Sequence, residues 1–126
     1  MSKVLVVDDS STLRRVVREA LSVFEFDIQE AENGIKALEC LEESTFDLII
    51  LDWVMPEMDG FEMFTKLQSI EKLKMIPVIM LTAENNKDMV LKAIRSGVKH
   101  YLTKPFTREE LLARVLKVLN LDQNTQ

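Results

Sequence analysis

Residues 4–11 read VLVVDDSS: four apolar residues that run straight into two adjacent acids, Asp8 and Asp9. A short, wholly apolar run suits a strand buried on both faces, as in parallel sheets covered by helices. Two like charges at its end serve no packing purpose, so they point to a ligand. The same design recurs down the chain. Residues 48–51 (LIIL) end in Asp52, and residues 78–81 (VIML), entered through Pro77, end in Thr82. Two further runs, 28–31 and 99–103, are more polar and carry Gln29, Glu30, Lys99 and His100.

Between these runs the apolar spacing becomes helical. Leu13, Val16, Val17, Ala20, Leu21 and Phe24 form one stripe, with Ser10 or Ser11 as its N-cap. Ile35, Leu38 and Leu41 follow the turn at Asn33-Gly34, and Phe61, Phe64 and Leu67 follow Asp59-Gly60. Met89, Val90, Ala93 and Ile94 are closed by Gly97, and Leu111, Leu112, Val115, Leu116 and Leu119 make the last stripe. Strict alternation of strand and helix predicts an α/β fold, a (βα)5 doubly wound parallel sheet in a single domain. The polar strands belong at the edges. That gives the flavodoxin-like order 2-1-3-4-5, with a ligand site beyond the carboxyl ends of the strands near the switch between strands 1 and 3.

Composition bounds the function. The chain has 126 residues, 47% apolar and 29% charged, with a net charge of −5. An acidic balance argues against nucleic acid as a partner. No apolar run approaches the roughly 20 residues that span a bilayer. The opening Met-Ser-Lys has no signal-peptide layout, and Cys40 is the one cysteine. A cytoplasmic protein is therefore expected, with a folded domain over 1–121 and a short tail over 122–126.

The predicted topology brings Asp8, Asp9, Asp52, Thr82 and Lys104, the last followed by Pro105, to one rim of the sheet. Clustered carboxylates repel one another unless a cation joins them. A set of hard oxygen ligands without Cys or His selects Mg2+, which binds few carboxylates and completes its shell with waters and phosphate. Lys104 offers a point charge for that phosphate, and Thr82 a hydrogen bond. An Asp carboxylate can itself attack phosphorus. Asp52 is the best candidate, standing alone at a central strand's end.

These residues resemble the receiver domain of two-component response regulators. "VVDDS", "LDWVMPEMDGFE", "LTAE" and "YLTKPF" fit that family in order and spacing from Lys3 to about Leu119. "DW", "TAE", Tyr101 and "KPFT" look most similar to its chemotaxis-type members. Receivers of that type are themselves a precedent for the 2-1-3-4-5 order, so the strand-order expectation shares it. The resemblance implies that Asp52 is the phosphoacceptor, served by a histidine kinase or histidine phosphotransfer protein. It implies that Asp9, Asp52 and the backbone carbonyl of Val54 bind Mg2+, with Asp8 acting through water. Lys104 pairs with the acyl phosphate across a cis Lys104-Pro105 bond. Thr82 and Tyr101 are the switch residues. Val54 and Glu84 flank the path of the hydrolytic water and tune dephosphorylation. The output is a changed surface on helix 4, strand 5 and helix 5 that binds a target, with the flagellar motor switch as one partner of this kind. A monomer is expected, with no membrane association, acting as a signalling switch rather than as an enzyme on other substrates.

Taken singly, each residue has an ordinary explanation. Asp8 could cap the first helix and Asp9 could be a first-turn acid favoured by its dipole, Thr82 could simply end a strand, and Lys104 could be a surface lysine. Their convergence favours the site. Trp53 should point away from Asp52, as packing or as a reporter of metal binding. Tyr101 could merely pack its ring. His100 is expected at a solvated edge, Cys40 packed in a helix, and Met55, Met58, Met63, Met75, Met80 and Met89 as core and loop filler. The basic residues Lys87, Lys92, Arg95, Lys99 and Arg108 ordinarily form a solvated face, with an acidic partner as the lesser possibility. Three other functions compete with this reading. A phosphorelay intermediate or a regulator outside motility shares every motif. An aspartyl-nucleophile, Mg2+-dependent phosphatase needs an acid where Val54 stands. A flavin binder needs phosphate-cradling loops, whereas the chain has only three Gly and would meet the phosphate with acids.

Overall fold

Alternate residues of the central strands enter two different cores. Val4 and Val6, Leu48 and Ile50, and Ile79 and Leu81 pack on one face with Val17, Ala20, Leu21, Leu111 and Val115. Leu5 and Val7, Ile49 and Leu51, and Val78 and Met80 pack on the other with Ala37, Leu41, Met63, Phe64, Leu67 and Ala93. Successive side chains of a strand point to opposite faces, so only an unbroken apolar run fills two cores at once. The computed structural model describes residues 2–55, 58–83 and 87–120. Glu84 and the tail expected over 122–126 lie outside the described residues.

The elements run β1 (Lys3–Val7), α1 (Ser11–Leu21), β2 (Asp27–Ala31), α2 (Gly34–Glu43), β3 (Leu48–Asp52), α3 (Gly60–Gln68), β4 (Val78–Ala83), α4 (Lys87–Arg95), β5 (His100–Lys104) and α5 (Arg108–Leu119). All pairings are parallel and the sheet order is β2-β1-β3-β4-β5, as the strand polarities predicted. Helices α1 and α5 cover one face; α2, α3 and α4 contribute to the other. Caps set the helix starts: the Ser10, Asn33, Asp59 and Thr107 side chains each accept a backbone N–H of the first turn. Gly97 sits at φ 100, the left-handed conformation expected of a cap after α4.

The structure moves some boundaries and narrows some stripes. Strand β4 runs through Ala83 and β5 occupies 100–104 rather than 99–103, because the ladder continues through Thr82–Thr103 and Ala83–Lys104. Thr82 and Lys104 are therefore strand residues, held by the sheet. Val16 is 45% exposed, since the buried stripe of α1 is Val17, Ala20 and Leu21 and a neighbour is turned about 100° away. Ile35 and Ile94 are exposed for the same reason, and of α4 only Ala93 is buried. Met63, Met80 and Met55 are core as expected, but Met75, before β4, is 79% exposed.

Gly60 is required by close approach. It opens α3 and donates its N–H to the Trp53 carbonyl at 2.7 Å. A Cβ there would lie 2.2 Å from the Asp52 carbonyl oxygen and 2.8 Å from the Trp53 Cα. Both are backbone atoms at the exit of a central strand and cannot swing aside. Gly60→Ala is expected to destabilise the fold by about 2–3 kcal/mol, as overpacking does, measured by urea denaturation. An unchanged midpoint would mean that α3 moves off the strand at no cost.

Candidate functional site

Register alone assembles the acids. Val7 pairs with Leu51, so Asp8 and Asp52, each one residue further along, leave the sheet side by side. Asp52 pairs with Leu81, which places Thr82 one step beyond it, and Lys104 closes the rim from β5. Asp8, Asp9 and Asp52 each offer a carboxylate oxygen within 4.8 Å of the others. Asp8 and Asp52 are buried, whereas Asp9 is exposed. The Lys104 ammonium donates to Asp52 Oδ1 at 2.7 Å and stands 3.9 Å from Asp8 Oδ2.

Asp8 is held at nearly every polar atom. Its N–H donates to the Ala31 carbonyl at 3.1 Å, its Oδ1 accepts the Ser10 N–H at 2.8 Å, and its carbonyl accepts Arg14 Nη1 at 2.6 Å. Among the described residues its Oδ2 is buried without a hydrogen bond, and so is the hydroxyl of Thr82. Buried polar atoms are ordinarily satisfied, so two orphans beside a carboxylate cluster mark a place built for a polar ligand.

Electrostatics agree. Burial pushes the Asp8 carboxyl up to about 6; the charges of Asp52 and Asp9 add to this, while the Ser10 N–H and Lys104 oppose it. Burial raises Asp52 as well, the Asp9 charge adding to it. The Lys104 hydrogen bond and charge, and a Val54 backbone hydrogen bond, act in the opposite direction. A single ammonium under-neutralises three carboxylates. The donor set fits Mg2+: all oxygen, no imidazole or thiolate, and carboxylates close enough to share one cation.

The other predicted residues take distinct places. Val54 is 65% exposed, just beyond Asp52 and Trp53. Trp53 is buried away from the acids and packs on Phe61, ring centroids 5.5 Å apart. Tyr101 pairs with Met80, lower on the sheet than Thr82, and is half-buried. With Lys87, Val90, Leu91 and Thr103 it lines a cavity of about 360 Å³ between α4 and β5. The Lys104–Pro105 peptide is cis. His100 is half-buried, and burial, followed by the charges of Arg114, Lys117 and Lys99, lowers its pKa. Cys40 is half-buried against the core, and burial, followed by the charges of Glu43 and Glu39, raises its thiol. Volume does not mark the site: a cavity of about 590 Å³ opens at the amino ends of the strands, walled by Phe46, Leu73 and Ile76. Sequence spacing missed Arg14, although an Arg one turn before Arg18 was a visible signal that this helix face meets acceptors.

Residues 4–116 match the sequence profile of the response regulator receiver domain. The chain belongs to this family, the receivers of two-component signalling. It is 43% identical over 119 residues to the chemotaxis protein CheY1 of Helicobacter pylori, covering 93% of this chain and 96% of that protein. With the chemotaxis protein CheY-3 of Vibrio cholerae it shares 39% over 117 residues, 92% of this chain and 90% of that one. Among solved structures, the chemotaxis response regulator CheY4 of Vibrio cholerae superposes with a TM-score of 0.86 at 35% identity, over 94% of this chain and 98% of that one. The receiver domain of the Francisella response regulator 1452 does so at 0.85 and 30%, with both chains fully covered. The fold is thus the flavodoxin-like fold of CheY-type receivers.

Proposed function

We propose that the chain is a phosphorylation switch, with Asp52 the phosphoacceptor and a pathway controlling chemotaxis its setting. The observation that carries this reading is the buried Asp52 carboxylate held 2.7 Å from Lys104, beside Asp8 and Thr82 oxygens that make no hydrogen bond among the described residues. An Asp52 oxygen attacks the phosphorus of a phosphohistidine; the P–N bond breaks and the imidazole leaves with its electron pair. Phosphoryl transfer needs positioning and neutralisation of charge more than covalent help. Lys104 supplies one positive charge and orients the carboxylate. Asp9, Asp52 and the Val54 carbonyl would hold Mg2+, with Asp8 supporting it through water. When bound, the cation neutralises charge on the transferring oxygens. Thr82 offers its free hydroxyl to the new phosphoryl group.

The output is a population shift, because a ligand biases two conformations only by contacting them differently. Thr82 and the half-buried Tyr101 are the groups placed to register the phosphoryl group. The cavity beside Tyr101 and the exposed Leu91 and Ile94 support target docking on α4, β5 and α5. A histidine kinase or phosphotransfer protein is the donor and a flagellar switch component a fitting target. The names of the Helicobacter pylori and Vibrio cholerae relatives, chemotaxis proteins both, favour this over a phosphorelay intermediate. Among the described residues no helix is long and apolar enough to cross a membrane. We take the working form to be a cytoplasmic, monomeric domain over 1–121 that catalyses only its own phosphorylation and dephosphorylation.

The test is incubation with acetyl phosphate and Mg2+, read by intact mass. One phosphoryl group should be gained, and none in EDTA. No gain with Mg2+ present would remove the reading. Val54 bears on lifetime: it is exposed at the rim, and an apolar side chain cannot orient the hydrolytic water as an amide can. Val54→Asn is expected to lose its phosphoryl group several times faster than the wild type in a decay assay. A slower variant would refute that role.

A further inference from the structure

The arginine on α1 that reaches Asp8 is not explained by packing alone. Arg14 donates through Nη1 to the Asp8 carbonyl at 2.6 Å and through Nε to Glu30 Oε1 at 2.9 Å. Its side chain is only 16% exposed. Glu30, on the edge strand β2, uses its second oxygen to accept Arg18 Nε at 2.7 Å, and Arg18 Nη2 donates to the Ile28 carbonyl at 3.0 Å. The two arginines therefore share one carboxylate but do different things. Arg18 ties α1 to the edge strand. Arg14 alone touches the peptide that joins Asp8 to Asp9.

We propose that Arg14, oriented by Glu30, is a positioning residue for the cation half of the site. By holding the Asp8 carbonyl it fixes the Asp8–Asp9 turn, and so sets how closely those carboxylates converge with Asp52. The inference rests on the Mg2+-assisted switch proposed above. With the Asp8 N–H bound by Ala31 and Oδ1 by Ser10, the Arg14 contact completes the restraint that leaves Oδ2, 3.9 Å from Lys104, as the Asp8 polar atom without a hydrogen bond among the described residues. A planar guanidinium can serve Glu30 and the carbonyl together through separate N–H groups, whereas a lysine presents one ammonium. Charge alone predicts the opposite outcome: removing a cation beside an acidic cluster should tighten the binding of another cation. Loss of positioning weakens it. The sign of the change therefore separates the two.

Trp53 is the one tryptophan, and it follows Asp52 directly. Its fluorescence in a Mg2+ titration reads the site without any turnover. Wild type, Arg14→Ala, Arg14→Lys and Arg18→Ala are compared, with thermal denaturation of each. The Mg2+ dissociation constant should rise about tenfold in both Arg14 variants and stay within about twofold in Arg18→Ala, as for residues that orient metal ligands. Phosphoryl uptake from acetyl phosphate should regain the wild-type maximal rate once Mg2+ saturates. Arg14→Lys keeps the charge and most of the stem, and is the variant read if the alanine form does not fold. Arg14 variants that bind Mg2+ as tightly as the wild type, or tighter, overturn the inference. Equal weakening by Arg18→Ala also overturns it, because a general loosening of α1 would then explain both. If the wild type neither responds to Mg2+ nor gains a phosphoryl group, the parent reading falls with it. If the wild type does both and the Arg14 variants match it, only this inference falls.

Discussion

Asp52→Asn should gain no phosphoryl group from acetyl phosphate and Mg2+ in intact-mass measurements, a loss of at least about a thousandfold, as when an enzyme loses its nucleophile. An amide has no anionic oxygen to attack phosphorus. Lys104 would keep an amide oxygen to donate to but lose the negative charge 2.7 Å away, with the nearest Asp8 oxygen at 3.9 Å. Asp9 is the exposed alternative. Uptake by the variant at the wild-type rate would move the acceptor there and end the present assignment. The variant should remain folded, since the group removed is a carboxyl that burial makes reluctant to ionise.

Asp8→Asn should stabilise the metal-free protein. The Asp8 carboxyl is raised to about 6 in the fold, against ~3.9 in an unfolded chain. Between those values the native state binds the proton that the unfolded state has lost, so stability falls as pH rises from about 4 to about 6 and stays lowered above that. The difference is worth up to about 3 kcal/mol, shared among the coupled acids. Asparagine keeps an oxygen for the Ser10 N–H and removes the buried charge. In EDTA at neutral pH the variant should melt higher by ~5–10 °C, and the gap should close as pH drops below about 4. Excess Mg2+ should narrow the gap from the other side, because only a state that binds the cation gains from it. A variant that melts lower than the wild type at neutral pH would show that the Lys104–Asp8 attraction outweighs burial.

The two expectations share a cause. The site keeps carboxylates where water has been removed and gives them too little positive charge. That is unfavourable for the empty fold and favourable for a cation and a phosphoryl group. Arg14 reaches the backbone carbonyl of Asp8 and not a carboxylate of the cluster, so its proposed part is orientation.

Strand and helix alternation, the sheet order and the rim position of Asp8, Asp9, Asp52, Thr82 and Lys104 were all legible in the sequence. Each rests on a local signal: an apolar run long enough to fill two cores, a helical stripe, or a polar residue where a run stops. The order also rested on family precedent. Tertiary structure alone decided which oxygen of Asp52 meets Lys104, that Asp8 Oδ2 and the Thr82 hydroxyl are left without a hydrogen bond among the described residues, that Gly60 presses on the exit of β3, and that Arg14 rather than Arg18 holds the Asp8 carbonyl. Those facts depend on register, side-chain rotamer and the approach of backbones far apart in the chain. No local pattern encodes them, because hydrogen bonds and burial are set by which atoms meet after the sheet has closed.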